Sequence, residues 1–84
     1  MTEVIWKEPA ISFLRKLDKQ EAERIVKKID KEIKNNPLRY IKELVYADFG
    51  RIRIGDYRLF TDYEQIKDKL IINTIKHRKN AYKK

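Results

Sequence analysis

The chain contains no cysteine and only one histidine. Without thiols, neither a disulfide framework nor a thiolate metal site can form, and one imidazole does not make a zinc site by itself. We therefore expect no metal-dependent mechanism and no bound cofactor.

Long apolar runs are also missing from the sequence. The longest runs are only a few residues, and the N-terminus has neither the basic start nor the apolar stretch of a secretory signal. We expect a cytoplasmic protein that has no membrane partner.

Charge is abundant and mostly positive. The 84 residues include 21 Lys and Arg against 13 Asp and Glu, which gives a formal net charge of +8. Residues 1–37 carry nine cations and seven anions, whereas residues 38–84 carry twelve and six, so +6 lies in the second half. Such an excess attracts phosphate groups and acidic partners, although a solubilising surface would explain the charge alone.

A chain of this length has room for one compact core, so we predict a single domain over residues 1–84. Residues Thr2–Trp6 are rich in β-branched and aromatic types and predict a short strand. A helix follows over Pro9–Leu17, because proline is tolerated best in a first turn. The apolar residues of this helix lie three and four apart and predict a core stripe: Ala10, Phe13, Leu14 and Leu17.

A second helix is predicted over Lys19–Asn35. Asp18 can cap it, and Glu21 stands three residues later as in a capping box. Its apolar stripe continues the core, and its lysines fall elsewhere, on a face that we interpret as solvated. The stripe comprises Ala22, Ile25, Ile29 and Ile33, and the lysines are Lys27, Lys28, Lys31 and Lys34.

The period of the pattern changes to two in the second half. After a connector with helical potential at Arg39–Leu44, residues 51–54 alternate strictly, Gly55-Asp56 supplies a two-residue turn, and Tyr57–Tyr63 returns. A polar loop at Glu64–Asp68 precedes a third strand over Leu70–Ile75. The predicted fold is α+β: an N-terminal strand, an antiparallel two-helix hairpin and a three-stranded antiparallel sheet, in the order β-α-α-β-β-β.

The two-residue turn sets the register of the hairpin. It places Ile52 opposite Leu59 and Arg53 opposite Arg58, and opposite residues share a face. Apolar residues then pack on the helices, while three arginines, Arg51, Arg53 and Arg58, collect on the other face beside Phe60. Like charges across a ladder repel, so the cluster indicates either a bound anion or pairing with Asp48 or Asp62.

Pairing the last two strands across their loop places Phe60 opposite Ile72 and Arg58 opposite Thr74. Lys76 and Arg78 then join the arginine cluster, and the tail adds His77, Lys79 and Tyr82 close to it. Cations interleaved with an aromatic ring suit single-stranded RNA, which presents phosphates and unstacked bases.

Two segments, Gly50-Arg51-Ile52-Arg53-Ile54-Gly55-Asp56-Tyr57-Arg58 and His77-Arg78-Lys79-Asn80-Ala81-Tyr82, resemble the RelE/ParE toxin superfamily. With the preceding strand and helical hairpin, the resemblance covers nearly the whole chain. It implies the toxin of a type II toxin–antitoxin system.

RelE-type members of that superfamily enter the ribosomal A site and cut mRNA without a metal. The ribose 2′-hydroxyl attacks, and a 2′,3′-cyclic phosphate is left. The resemblance puts Arg51 and Arg53 at basic, candidate catalytic positions of the first hairpin strand, and Arg58 at that of the phosphate-stabilising arginine. It gives Arg78 the place of the C-terminal catalytic arginine and Tyr82 that of a tyrosine that stacks on a base or aids proton transfer. The expected RNA-binding residues are Arg51, Arg53, Phe60, Lys76, His77 and Lys79, with His77 also a candidate acid.

The same resemblance implies a cognate RelB-like antitoxin that covers the basic surface in a hetero-oligomer. Two alternatives remain open from the sequence. One is a ParE-like inhibitor of DNA gyrase with the same fold, and the other is a non-catalytic RNA-binding module.

Overall fold

Five strands and two main helices follow one another along the chain. The computed structural model describes residues 2–43 and 50–81. The elements are β1 (Glu3–Trp6), α1 (Glu8–Lys16), α2 (Lys19–Lys31), a 3-10 turn (Ile33–Asn35), α3 (Pro37–Tyr40), β2 (Ile41–Glu43), β3 (Gly50–Ile54), β4 (Tyr57–Glu64), β5 (Lys69–His77) and α4 (Arg78–Ala81).

The strands form one sheet in the order β1-β5-β4-β3-β2. β1 pairs parallel to β5, and the other neighbours are antiparallel. The predicted α+β class is confirmed, but the sheet has five strands rather than three. The two additional strands of the sheet are β1 and β2, which form its edges. Local alternation could not place β1 beside β5, because the two strands are joined by a long crossover, and it could not identify β2, which has just three residues.

The helices cover one face of the sheet and form the core with it. The predicted helical stripe is buried at Ala10, Ile25, Ile29 and Ile33, and it packs against buried sheet residues that include Ile52, Leu59, Leu70, Ile72 and Ile75. Burial of these side chains on one face leaves the opposite face of the sheet available for polar residues.

The ends of two predicted helices differ from the structure. α2 ends at Lys31, and the chain tightens into the 3-10 turn before Pro37. Asp18 occupies the N-cap position but makes no side-chain cap hydrogen bond. The helix predicted over Arg39–Leu44 is wrong beyond Tyr40, because the chain turns extended at Ile41 and pairs with β3. Leu44 lies outside the described residues.

A small polar cluster ties β1 to the loop before β5. The hydroxyl groups of Thr2 and Tyr63 each donate a hydrogen bond of 2.7 Å to Oδ1 of Asp68. These bonds, led by that of Tyr63, hold the pKa of Asp68 below its ordinary value. Asp68 itself adopts a positive φ of 53°.

No helix within residues 2–43 and 50–81 is both long and apolar enough to cross a membrane.

Candidate nucleic-acid interface

The β3–β4 hairpin has the register that its turn predicts. Gly55 adopts a φ of 56°, in the left-handed region that a two-residue hairpin turn requires. Ile52 lies opposite Leu59, Arg53 opposite Arg58, and Arg51 opposite Phe60. Because Ile52 and Leu59 are buried against the helices, the arginines and Phe60 occupy the opposite face.

The predicted register of β5 is wrong by two residues. Phe60 lies opposite Thr74 and Arg58 opposite Lys76, and the ladder is irregular between Phe60 and Thr61. Beyond that irregularity the shift of two residues leaves Thr74 and Lys76 on their predicted face, so Lys76 joins the arginines as predicted. Before it the shift is one residue, so Ile72 lies opposite Thr61 and is buried in the core rather than opposite Phe60. We call the set Arg51, Arg53, Arg58, Phe60 and Lys76 the arginine face.

Three cations form a row across the arginine face. Arg53, Arg58 and Lys76 are direct neighbours on three adjacent strands, and strands in a sheet lie about 4.8 Å apart. Arg53 and Lys76 are exposed, whereas Arg58 between them is only 6% exposed. Nη1 of Arg58 donates hydrogen bonds to the backbone carbonyls of Gly55 and Tyr57, at 3.0 and 3.1 Å. Arg58 therefore stabilises the turn through these hydrogen bonds and also contributes a positive charge to the arginine face.

Asp62, one of the two carboxylates proposed to neutralise the arginines, does not pair with the row. Among the described residues, no ion pair joins Arg53, Arg58 or Lys76 to an acidic side chain. Asp62 instead accepts a hydrogen bond of 2.8 Å from the amide of Asn73, and Asp48 lies outside the described residues. Within the described residues, the charge of the row is therefore not neutralised by a carboxylate.

Lys42 adds a cation that sequence reasoning missed. β2 places it directly opposite Arg51, and directly opposite residues share a face, so it extends the arginine face toward the sheet edge. The three residues of β2 are too few to establish alternation, and the sequence pattern of Arg39–Leu44 indicates a helix instead. No signal in the sequence alone identifies Lys42.

Arg78 begins α4 and lies beside the hairpin turn rather than on a strand. Its backbone N–H donates a hydrogen bond of 2.6 Å to the carbonyl of Asp56, and its Nε lies 3.9 Å from Oδ1 of Asp56. The prediction that Arg78 joins the face as a strand residue is wrong, because β5 ends at His77. Arg58 and Arg78 both hold the Gly55-Asp56 turn.

His77 lies on the helix side of the sheet, not beside the arginine face as predicted. It is opposite Tyr57, and the two rings meet edge to face with centroids 5.6 Å apart. Tyr57 also contacts Phe13 of α1 edge to face at 6.0 Å. Burial, and then the nearby Glu21 carboxylate, raise the pKa of Tyr57.

Two other predicted residues belong to the C-terminal tail. The exposed Lys79 has its backbone N–H 3.3 Å from Nδ1 of His77, to which it donates a hydrogen bond. Tyr82 lies outside the described residues. In residues 2–43 and 50–81, no group of three or more His, Asp or Glu side chains is arranged to hold a metal ion.

Comparisons with known proteins give one family and a set of similar folds. A family model described as the ParE toxin of the type II toxin–antitoxin system parDE matches residues 4–82. No curated protein matches the chain significantly.

The similar solved structures are toxin–antitoxin complexes. The RelBE2 complex of Mycobacterium tuberculosis contains a chain 25% identical, with a TM-score of 0.83 over 92% of this chain and 98% of that one. The RelB–RelE complex of Methanococcus jannaschii gives 27% identity and a TM-score of 0.68 over 94% and 95%. The intact Escherichia coli RelBE complex contains a chain 21% identical, with a TM-score of 0.75 over 92% of this chain and 96% of that one. At this identity the comparison shows a similar fold.

Proposed function

Because the chain belongs to the ParE toxin family of type II toxin–antitoxin systems, in the RelE/ParE superfamily, we propose that it is a RelE-like, ribosome-dependent mRNA endoribonuclease. The observation that carries this proposal is the row of Arg53, Arg58 and Lys76 on one sheet face. Three adjacent cations without carboxylate partners among the described residues suit a ligand that brings its own negative charges, as a phosphodiester chain does.

The reaction needs no metal or cofactor. The 2′-oxygen attacks the adjacent phosphorus, the bond to the 5′-oxygen breaks, and a 2′,3′-cyclic phosphate and a 5′-hydroxyl result. One proton leaves the 2′-hydroxyl and one is delivered to the 5′-oxygen. Negative charge gathers on the phosphoryl oxygens in the transition state, and preorganised cationic donors lower its free energy.

Arg58 and Arg78 are the residues that we assign to this charge. Hydrogen bonds to the turn carbonyls orient Arg58, and Arg78 is tied to the same turn through Asp56. Arginine is too basic to serve readily as a general base, but its permanent charge suits phosphate binding. Arg51 and Arg53 would therefore bind the phosphates that flank the cleaved one.

The remaining assignments concern bases and protons. Phe60 is half-buried on the arginine face, where its ring would stack on a base. Tyr82 would stack on a second base or aid proton transfer. His77 remains a candidate acid, and it would act from the Tyr57 side of the turn.

We further propose a RelB-like antitoxin as the protein partner. The similar solved structures are RelB–RelE complexes. An acidic or amphipathic segment of the antitoxin would cover the arginine face, and the two proteins would form a hetero-oligomer in the cytoplasm. The covered face could then no longer bind mRNA at the ribosomal A site.

A ParE-like inhibitor of DNA gyrase is the second candidate. The observation in its favour is the family model, which carries the ParE name. Such an inhibitor acts by binding protein and needs no catalytic arginines, so its activity would survive loss of the charge on Arg78.

Primer extension on a reporter mRNA in a cell-free translation reaction tests the proposal. We expect discrete cuts that need ribosomes, that disappear with Arg78→Ala and that persist with the exposed control Lys67→Ala. Intact message with blocked gyrase supercoiling in a parallel reaction would establish the ParE-like activity instead. RNA binding without cleavage products would identify a binding module.

A further inference from the structure

A groove of about 650 Å³ separates α2 from the tip of the β3–β4 hairpin. One wall is the polar side of α2, and the other is Arg53, Ile54 and the turn residue Gly55. The α2 residues that line it are Gln20, Glu23, Arg24, Lys27, Lys28, Lys31 and Glu32. Of the described residues in the row of cations and the arginine face, Arg53 alone also lines the groove.

The backbone explains why the groove exists. β2 pairs with β3 through Ile52, so Arg53 and Ile54 extend beyond its last pair and leave the sheet edge open. Gly55 brings the hairpin tip against α2, where an added Cβ would collide with the guanidinium of Arg24. The glycine is required by the left-handed φ of the turn, and the exposed Arg24 side chain lies across this end of the groove.

Positive charge dominates the groove after its internal pairs are counted. Five cations and two carboxylates line it. Arg24 lies 3.6 Å from Glu21, and Lys28 lies 3.1 Å from Glu32. Among the described residues no ion pair involves the exposed Lys27, Lys31 or Arg53. These three cations are available to a ligand.

The length of the charged wall indicates a ligand with several negative charges. Arg24 and Lys31 are seven residues apart on one helix, and a rise of 1.5 Å per residue separates them by about 10 Å. One phosphate group cannot contact both ends, whereas a run of phosphates can.

We propose that this groove binds the sugar–phosphate backbone of an RNA strand and continues the path of that strand from the arginine face through Arg53. The inference rests on the proposed function, because mRNA on the arginine face supplies the strand. No aromatic side chain of the described residues lines the groove, so the contact is to phosphates and independent of base sequence. Lys27 and Lys31, one helical turn apart, carry the contact.

Salt-dependent binding of a 2′-O-methyl single-stranded RNA, which cannot be attacked at its 2′-oxygen, tests the proposal. Anisotropy titrations across a series of NaCl concentrations would compare the wild type with Lys27→Gln/Lys31→Gln. The control is Lys16→Gln/Lys67→Gln, which removes the same charge at exposed positions outside the groove and the arginine face. Each phosphate contact on a single strand contributes about 0.7 to the slope of log affinity against log salt.

The expected result is a slope shallower by about 1.4 in the groove variant, since two contacts are lost, and an unaltered slope in the control. Equal slopes in the wild type and the groove variant would overturn the proposal. Polyglutamate binding that depends on Lys27 and Lys31, with RNA binding that does not, would overturn it in favour of an acidic protein. A wild-type protein that binds RNA but cuts no message would refute the proposed function alone.

Discussion

The backbone carbonyl of Asp56 accepts a hydrogen bond of 2.6 Å from the amide of Arg78, and its carboxylate lies 3.9 Å from Nε of the same arginine. Asp56 thus holds the start of α4 by its backbone and orients a candidate catalytic side chain by its charge. Both side chains are more than half exposed, so the pair contributes little to folding.

Asp56→Asn should separate these two effects, because it keeps the backbone bond and removes the charge. We expect a change below about 1 kcal/mol in the free energy of unfolding, and cleavage slowed by up to about fivefold as Arg78 loses its orientation. Urea titration and single-turnover cleavage measure the two. The matched control is Asp30→Asn, which removes the ion pair between α2 and Lys34 of the 3-10 turn; an equal slowing in this control would contradict the prediction.

Arg58→Ala should destabilise the fold as well as abolish cleavage. The carbonyls of Gly55 and Tyr57 lose a charged donor, which we expect to lower the free energy of unfolding by about 1–3 kcal/mol. Arg53→Ala, at the exposed position directly opposite, should change it by less than about 0.5 kcal/mol. Urea denaturation compares the two variants, and equal effects would show that Arg58 is not a structural residue.

Gly55→Ala should destabilise the hairpin tip. The left-handed φ of 56° costs a residue with a Cβ about 1–2 kcal/mol, and the added carbon meets the guanidinium of Arg24. Gly55→Asn tolerates the left-handed conformation better, but it still meets Arg24, and so it separates the backbone term from the contact. The midpoints of urea denaturation should fall in the order wild type, Asn, Ala, and an Ala variant as stable as the wild type would refute this account.

Acid should loosen the attachment of β1 through Asp68. Its pKa is depressed in the folded protein, first by the hydrogen bond from Tyr63 and then by that from Thr2. A depressed pKa stabilises the fold above the unfolded value of about 3.9, and this contribution disappears as the pH falls through the folded value. We therefore expect the free energy of unfolding to decline as the pH falls below about 4.

Tyr63→Phe isolates this contribution, since it removes the hydroxyl that donates to Asp68. The decline in acid should be smaller in this variant than in the wild type. Tyr40→Phe, whose ring lies near Lys28 instead, provides the control and should follow the wild type. Identical acid profiles for the Tyr63 variant and the wild type would refute the role of Asp68.

Residues close in sequence determine the register of the β3–β4 hairpin, whereas residues distant in sequence determine the register of β5 and the position of Lys42. The β3–β4 register was predictable because a two-residue turn and strict alternation leave one way to pair Arg53 with Arg58. The register of β5 was not, because the pairing next to the loop is offset by one residue and an irregularity beside Thr61 adds one more. The same limit hid Lys42, whose strand is defined only by its partner β3.

The sequence by itself determined the α+β class, the apolar stripes of α1 and α2, and the gathering of Arg51, Arg53 and Arg58 on one face. Each of these follows from periodicity within a segment, which local backbone geometry imposes. Only the tertiary structure decided that Arg58 is buried against the turn, that His77 faces the helices, and that α2 and the hairpin tip enclose a cationic groove. Those outcomes depend on which surfaces approach one another in space, and that choice is made by packing of the whole core rather than by the spacing of any one segment.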